Sequence, residues 1–319
     1  MTFISILFAL LIEQLKPLRA ENPVYAAVRA LALKMETSFN AGQVSHGRLA
    51  WIVMVGALTI PTALAYWLCY RLSPFAALAL NILMVYLTLG FRHYSHFFNS
   101  IQLALNAGDE AAARILLAEW TLRDTSAMDA GEISRIAVES ALIATHRNVF
   151  GVFFWFLTPL GPAGAVLYRV TEYLARVWNE PDHMQREVFG HFAARAFYWI
   201  DWIPARLTAI AFAIVGNFED AIFAWRNFAA RWQDEAVGII LSAGGGAMGV
   251  RLGTPAEVAN NVMPANDPTL GDSFGMESEA LPGEESTVRA LQSTVGLVWR
   301  ALLLWMLVLL LLSIAVWLG

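Results

Sequence analysis

The segment Leu49–Tyr70 is an apolar run of membrane-spanning length, and Arg71-Leu-Ser-Pro74 turns it back into a second run, Phe75–Phe91. A span needs roughly 20 apolar residues, and inside lipid the backbone has to satisfy its own polar groups, which a helix does. The two runs therefore predict a hairpin of membrane helices, with Pro61 kinking the first. Composition agrees along the whole chain. Of its 319 residues, 58% are hydrophobic and 15% charged, and mean hydropathy is +0.53, where soluble domains carry roughly 45–50% and about 25%. Twelve Trp and nineteen Phe suit aromatic belts at both interfaces. The predicted fold class is all-α: a polytopic integral membrane protein with broken or re-entrant helices, a helical cytoplasmic portion and a C-terminal transmembrane helix.

Charge sets the expected topology. Lys16, Arg19, Arg29, Lys34 and Arg48 precede the hairpin, while its turn carries Arg71 alone, so the first side is cytoplasmic by the positive-inside rule. A membrane domain is expected over 1–253, with spans near 1–13, 49–70 and 75–91. The first of these is short, as a thin span or a half-inserted helix, and it lacks the basic leader and cleavage site of a signal peptide. Residues 22–39 read as an amphipathic helix on the cytoplasmic side. The stretch 92–148 reads as a cytoplasmic helical part, with helices near 97–106, 110–120 and 130–146 parted by Gly108-Asp109 and by 124–129. Two short apolar segments come next, 149–168, interrupted by Gly161-Pro162-Ala163-Gly164, and 204–218, with Pro204 where a helix would begin. Both are expected to be re-entrant, because they are short and crossing would put Arg169, Arg176, Arg186 and Arg195 outside. Residues 254–290 are polar and acidic and predict a disordered linker. A C-terminal transmembrane helix is expected over 295–319.

Few motifs carry chemistry on spacing alone. Cys69 is the single cysteine and lies in an apolar run, so no disulfide framework is expected. Net charge of −5 without a basic run excludes nucleic acid. His93 and His96 share a helical face but lack a third ligand, and they read as an interface anchor. His146, His183 and His191 are singletons, and no metal site is expected. Gly244-Gly-Gly-Ala-Met-Gly249 has neither Walker spacing nor its Lys-Ser/Thr ending, and reads as close helix packing. Asp201 and Arg206 flank Pro204 at the edge of an apolar run, where a charge is costly unless paired, hydrated or interfacial. They read either as an interface ion pair or as a polar site at membrane depth.

The motifs in order are Arg123-Asp-Thr-Ser126, Ile136-Ala-Val-Glu-Ser140, Phe153-Phe-Trp155, Gly161-Pro162, Tyr168-Arg169, Phe189-Gly190, Trp202-Ile-Pro-Ala-Arg-Leu-Thr208 and Gly249-Val-Arg-Leu-Gly253. This ensemble resembles the CobD/CbiB family over about residues 90–253. The resemblance implies a multi-pass protein of the bacterial inner membrane in cobalamin biosynthesis. It further implies a reaction that joins aminopropanol, or its phosphate, to adenosylcobyric acid through an ATP-dependent amide bond, with ATP and magnesium as cofactors. Asp124, Glu139 and Asp201 would then be the catalytic acids, and Arg123, Arg169, Arg206 and Asn217 would bind substrate. Expected partners are the lipid bilayer, a corrinoid substrate and further copies of the chain in a homo-oligomer.

The chain also departs from that pattern. Where the family reads Leu-Ala-Glu-Asn-Leu-Ser-Asp-Gly, residues 141–148 read Ala-Leu-Ile-Ala-Thr-His-Arg-Asn, so Ile143, Ala144 and Arg147 stand in place of Glu, Asn and Asp. After Tyr168-Arg169 the family's Asn-Thr-Leu-Asp becomes Glu172-Tyr-Leu-Ala175. Leu11-Ile-Glu-Gln-Leu-Lys16, Arg92-His-Tyr94, Tyr173-Leu-Ala-Arg-Val-Trp178 and the final span resemble AmpE, a distant member of the same superfamily tied to β-lactamase induction. Two functions are open at this point: the amide-forming enzyme, and an AmpE-like non-catalytic sensor of cell-wall state.

Overall fold

The computed structural model of the protein describes residues 2–16, 22–40, 44–179, 184–253 and 283–318. Its helices, in chain order, are α1 (Thr2–Leu15), α2 (Pro23–Phe39), α3 (Val44–Leu72), α4 (Pro74–Thr88), α5 (Phe91–Asn106), α6 (Glu110–Thr121), α7 (Ala130–Thr145), α8 (Gly151–Leu157), α9 (Pro162–Val177), α10 (Met184–Val215), α11 (Phe218–Phe228), α12 (Glu235–Met248) and α13 (Val288–Leu318). Among the described residues no strand forms; a single bridge pairs Val250 with Glu284. Three helices are long and apolar enough to cross a membrane, over Ser45–Leu72, Phe189–Val215 and Val288–Ala315. The all-α membrane fold class is therefore correct. The chain divides into two compact units, one of Met1–Tyr94, Ala144–Pro204 and Met306–Gly319, the other of Ser95–Ile143 and Ala205–Trp305.

In the first unit α3 and α4 form the expected hairpin. Ser73 caps α4 by accepting from the Phe75 amide at 3.2 Å, and Pro74 takes the first helical position, where no amide is needed. The return is shorter than expected: α4 ends at Thr88, and the chain breaks at Leu89-Gly90 before α5 starts. The core gathers around Trp178, whose ring lies 4.8 Å from that of Phe189 and whose indole donates to the Ala32 carbonyl at 3.3 Å. Ala50, Met54, Val170 and Leu174 complete it. The amphipathic reading of 22–39 holds in part: α2 packs on α3 through Val28, Leu31, Ala32 and Met35, but it also buries Glu36 and leaves Val24 and Leu33 exposed.

Two boundaries differ from expectation. Helix α7 does not stop near Asn148; it runs through a π-helical turn, His146–Phe150, into α8. The break comes later, at Thr158–Gly161, with Gly161 at φ +55° and Pro162 opening α9, as the Gly-Pro interruption predicts. Nor does a helix begin at Pro204. That proline lies inside α10, a continuous 32-residue helix, so 204–218 is no separate short segment, and its apparent shortness disappears.

In the second unit the turn chemistry is as read. Gly108 adopts φ +75°, and Asp109 caps α6 by accepting from the Ala112 amide at 2.9 Å. The glycine run of α12 is close packing: a Cβ on Gly246 would meet the Asp220 carbonyl oxygen of α11 at 2.5 Å, and one on Gly244 would meet Leu142 Cδ1 at 2.8 Å. Of the expected linker, 254–282 lies outside the described residues, but Glu284 pairs with Val250 and α13 starts at Val288, ahead of the expected 295. Polar Arg289, Gln292 and Ser293 extend the helix beyond its apolar part. His183 and the side chain of His93 also lie outside the described residues.

Candidate functional site

In the first unit the sequence reading singles out Asp201 and Arg169. Asp201, on α10, is 1% exposed, and its carboxylate Oδ1 takes two hydrogen bonds. One is from His146 Nε2 at 2.9 Å, the other from the Tyr168 hydroxyl at 2.8 Å. Both partners are fully buried. Oδ2 is buried without a hydrogen-bond partner. Burying a carboxylate is expensive unless donors meet it, and these two side chains supply them.

Local structure explains the meeting. The π-turn inserts an extra residue into a helical turn, a device common at functional sites, and His146 opens it. Gly151 comes next, at the start of α8, where a Cβ would overlap the ring and hydroxyl of Tyr168; only glycine leaves that hydroxyl its path to Asp201. Pro204 has no amide hydrogen, which frees the Ile200 carbonyl from its usual helical bond. The Trp155 indole donates to that carbonyl at 3.1 Å, so α8 is tied to α10 one residue from Asp201.

Arg169, on α9, pairs with Glu172 at 3.1 Å and donates to the Arg147 carbonyl at 3.4 Å. Buried Glu172 also takes Arg176 Nε at 3.4 Å. The Arg147 guanidinium lies 5.7 Å over the Phe197 ring, which sits 5.7 Å from Tyr168. Arginines next to a buried acid form a set suited to phosphate or carboxylate groups.

The second unit holds the other five residues. Glu139 Oε1 accepts from the Gly253 amide at 2.7 Å and from Arg135 Nη1 at 2.8 Å. Arg206 pairs with Glu235 of α12. Asn217 caps α11, engaging the backbone amide and carboxylate of Asp220 through its own amide, which makes it a structural cap. Arg123 and Asp124 are exposed on the turn after α6. Bonds from the Ser126 backbone and hydroxyl hold the Asp124 carboxyl below the ordinary carboxylate range. The reading of Asp201 with Arg206 as one ion pair is corrected: five residues along a continuous helix turn through about 140°, off a common face, and each has another partner. Among the described residues no group of three or more His, Cys, Asp or Glu could hold a metal ion.

Sequence reasoning missed His146, Tyr168 and Glu172 as members of the cluster. His146 reads as a singleton because its partner is 55 residues away. The one local signal is Gly151, small in an otherwise bulky apolar run.

Comparison with known proteins agrees with the motifs. The family described as CobD/Cbib protein matches residues 6–292. Cobalamin biosynthesis protein CobD of Stutzerimonas stutzeri is 34% identical over 314 residues, 97% of each chain. Cobalamin biosynthesis protein CobD of Chromobacterium violaceum is 34% identical over 206 residues, 65% of each chain. Cobalamin biosynthesis protein CbiB of Salmonella typhimurium is 25% identical over 262 residues, 80% of this chain and 77% of its own. No solved structure matches. The AmpE-like reading is not borne out: with 97% of both chains aligned, the C-terminal helix belongs to the length shared with the Stutzerimonas protein and is no addition.

Proposed function

The chain belongs to the CobD/CbiB family, and from that premise we propose that it makes an amide bond late in cobalamin biosynthesis, joining aminopropanol, or its phosphate, to adenosylcobyric acid. The observation that carries this reading is the family match over residues 6–292, which takes in every residue of the His146–Tyr168–Asp201 cluster. The three membrane-capable helices support multi-pass insertion, in the bacterial inner membrane.

ATP and its magnesium would supply phosphoryl transfer to the corrinoid carboxylate. Arg123 and Asp124 fit that pair: both are exposed, the guanidinium suits phosphate oxygens, and bonds from Ser126 favour the charged form of the Asp124 carboxyl. Magnesium in such sites needs only one or two carboxylates beside the phosphates. In the first unit Arg169, beside Glu172, and in the second unit Arg206, beside Glu235, would each hold a phosphate or corrinoid carboxylate. Asp201 would take the proton from the amine, with Oδ1 fixed by two donors and Oδ2 remaining to accept.

The test is growth of a cobalamin-auxotrophic strain lacking its own CobD/CbiB protein, fed cobyric acid and carrying this chain. Growth is expected. No growth, with the protein confirmed in the membrane, overturns the reading.

A further inference from the structure

Connecting segments are usually more mobile than the elements they join. The turn Gly249–Gly253 in the second unit is held throughout. At its start Gly249, φ +68°, closes α12, and the Val250 amide donates to the Gly245 carbonyl at 2.9 Å. In its middle the Arg251 amide donates to the Glu284 carbonyl at 2.7 Å, and the Glu284 amide donates back to the Gly249 carbonyl at 2.9 Å. Next to that bridge Gly283 adopts φ +110°, and a Cβ there would meet the carbonyl carbon of Val250 at 2.8 Å and the Arg251 amide nitrogen at 2.9 Å. Residues beyond Glu284 pass the start of α7, where a Cβ on Gly131 would lie 3.3 Å from the Ser286 carbonyl oxygen. At its end Gly253, φ +90°, gives its amide to Glu139 at 2.7 Å.

So α7, α12 and the approach to α13 all grip five residues. Four of the five are glycine or aliphatic, and the fifth is Arg251. Its guanidinium Nη2 donates to the Gly283 carbonyl at 3.2 Å, so backbone and side chain are fixed by the same strap. Glu139 is 7% exposed, and its Oε1 accepts two hydrogen bonds, one from a backbone amide 114 residues away.

We propose that Glu139 is a positioning residue, which through Gly253 sets the Gly249–Gly253 turn so that Arg251 presents its guanidinium to an anionic group of the substrate, a phosphate or a carboxylate. Glu139 then exchanges no proton with substrate. The identity of the anion rests on the amide-forming reading; the positioning does not.

Two readouts on the full chain separate these parts. The first is hydrogen exchange of peptides covering 249–253 and 283–287 in detergent-solubilised protein. The second is growth on cobyric acid. Glu139→Ala removes the acceptor of the Gly253 amide, and exchange there should rise about tenfold or more. Glu139→Gln keeps a carbonyl oxygen for both donors, so exchange should stay near that of the unaltered chain and growth should persist. Gly283→Ala disturbs the turn from its other side and should copy Glu139→Ala; it carries the test should Glu139→Ala fail to accumulate. Arg251→Ala should abolish growth while exchange stays close to that of the unaltered chain. Unchanged exchange in Glu139→Ala, or in Gly283→Ala where that variant stands in, overturns the positioning. Loss of growth in Glu139→Gln with normal exchange overturns it too, because the carboxylate itself would then be needed. Growth of Arg251→Ala removes the anion-binding role. If the unaltered chain fails to support growth, the amide-forming function falls, and exchange alone still decides whether Glu139 positions the turn.

Discussion

Tyr168→Phe removes one hydroxyl from a fully buried ring and leaves its volume unchanged. No cavity opens, so the change in stability reads the bond to Asp201 Oδ1, 2.8 Å long. Bonds to charged acceptors contribute about 1.5–3 kcal/mol in soluble proteins, whereas cycles in helical membrane proteins average about 0.6 and reach about 1.7 kcal/mol. With His146 on the same oxygen and all three side chains buried, a loss near the top of the membrane range, about 1–2 kcal/mol, is expected. The Asp201→Ala background reverses the sign. There the Tyr168 hydroxyl is a buried donor without its acceptor, and an unsatisfied buried donor costs about 1–3 kcal/mol. Tyr168→Phe should then be neutral or stabilising, giving a coupling of about 2 kcal/mol between the two positions. Reversible unfolding in mixed micelles, titrated with a denaturing detergent, measures all four corners. Equal cost of Tyr168→Phe in both backgrounds would refute the energetic link between Tyr168 and Asp201.

Gly151→Ala places a methyl where the Tyr168 ring and hydroxyl lie, and should destabilise by about 1–3 kcal/mol, with most of that cost gone in a Tyr168→Leu background; an equal cost in both would mean the methyl meets something else. Arg206→Ala and Glu235→Ala break the same partly exposed pair and should each lower stability by no more than about 1 kcal/mol. Only Arg206→Ala should abolish growth on cobyric acid; equal loss in both would leave Arg206 a structural partner and remove it from substrate binding.

What the sequence discloses about this fold is what local physics decides. The α3–α4 hairpin is legible because apolar length and the Ser73-Pro74 cap act within a few residues. The α5–α6 turn is legible through Gly108-Asp109, and the α8–α9 break through Gly161-Pro162. The candidate site is legible in its parts and not in its pairing. Asp201 stands out as an acid beside an apolar run, but its union with His146 depends on the π-turn, whose one extra residue rotates the rest of the helix by about 100°. Nothing in the composition of His146–Phe150 announces that extra residue.

Pro204 misleads for a related reason. Read locally, a proline ends or opens a helix, because it clashes with the preceding turn and deprives a carbonyl of its donor. Here that carbonyl, on Ile200, finds the Trp155 indole at 3.1 Å, and the helix runs on. The compensation is testable as such. With Pro204 in place, Trp155→Phe leaves the Ile200 carbonyl without a donor and should cost about 0.5–1.5 kcal/mol beyond the packing change. In a Pro204→Ala background the restored backbone amide can take the Ile200 carbonyl, and the same Trp155→Phe change should lose that part of its cost. Unfolding of the four variants in mixed micelles measures the difference. If Trp155→Phe costs the same with or without the proline, the indole is not what allows α10 to pass through it, and the tie between α8 and α10 must be sought in packing alone.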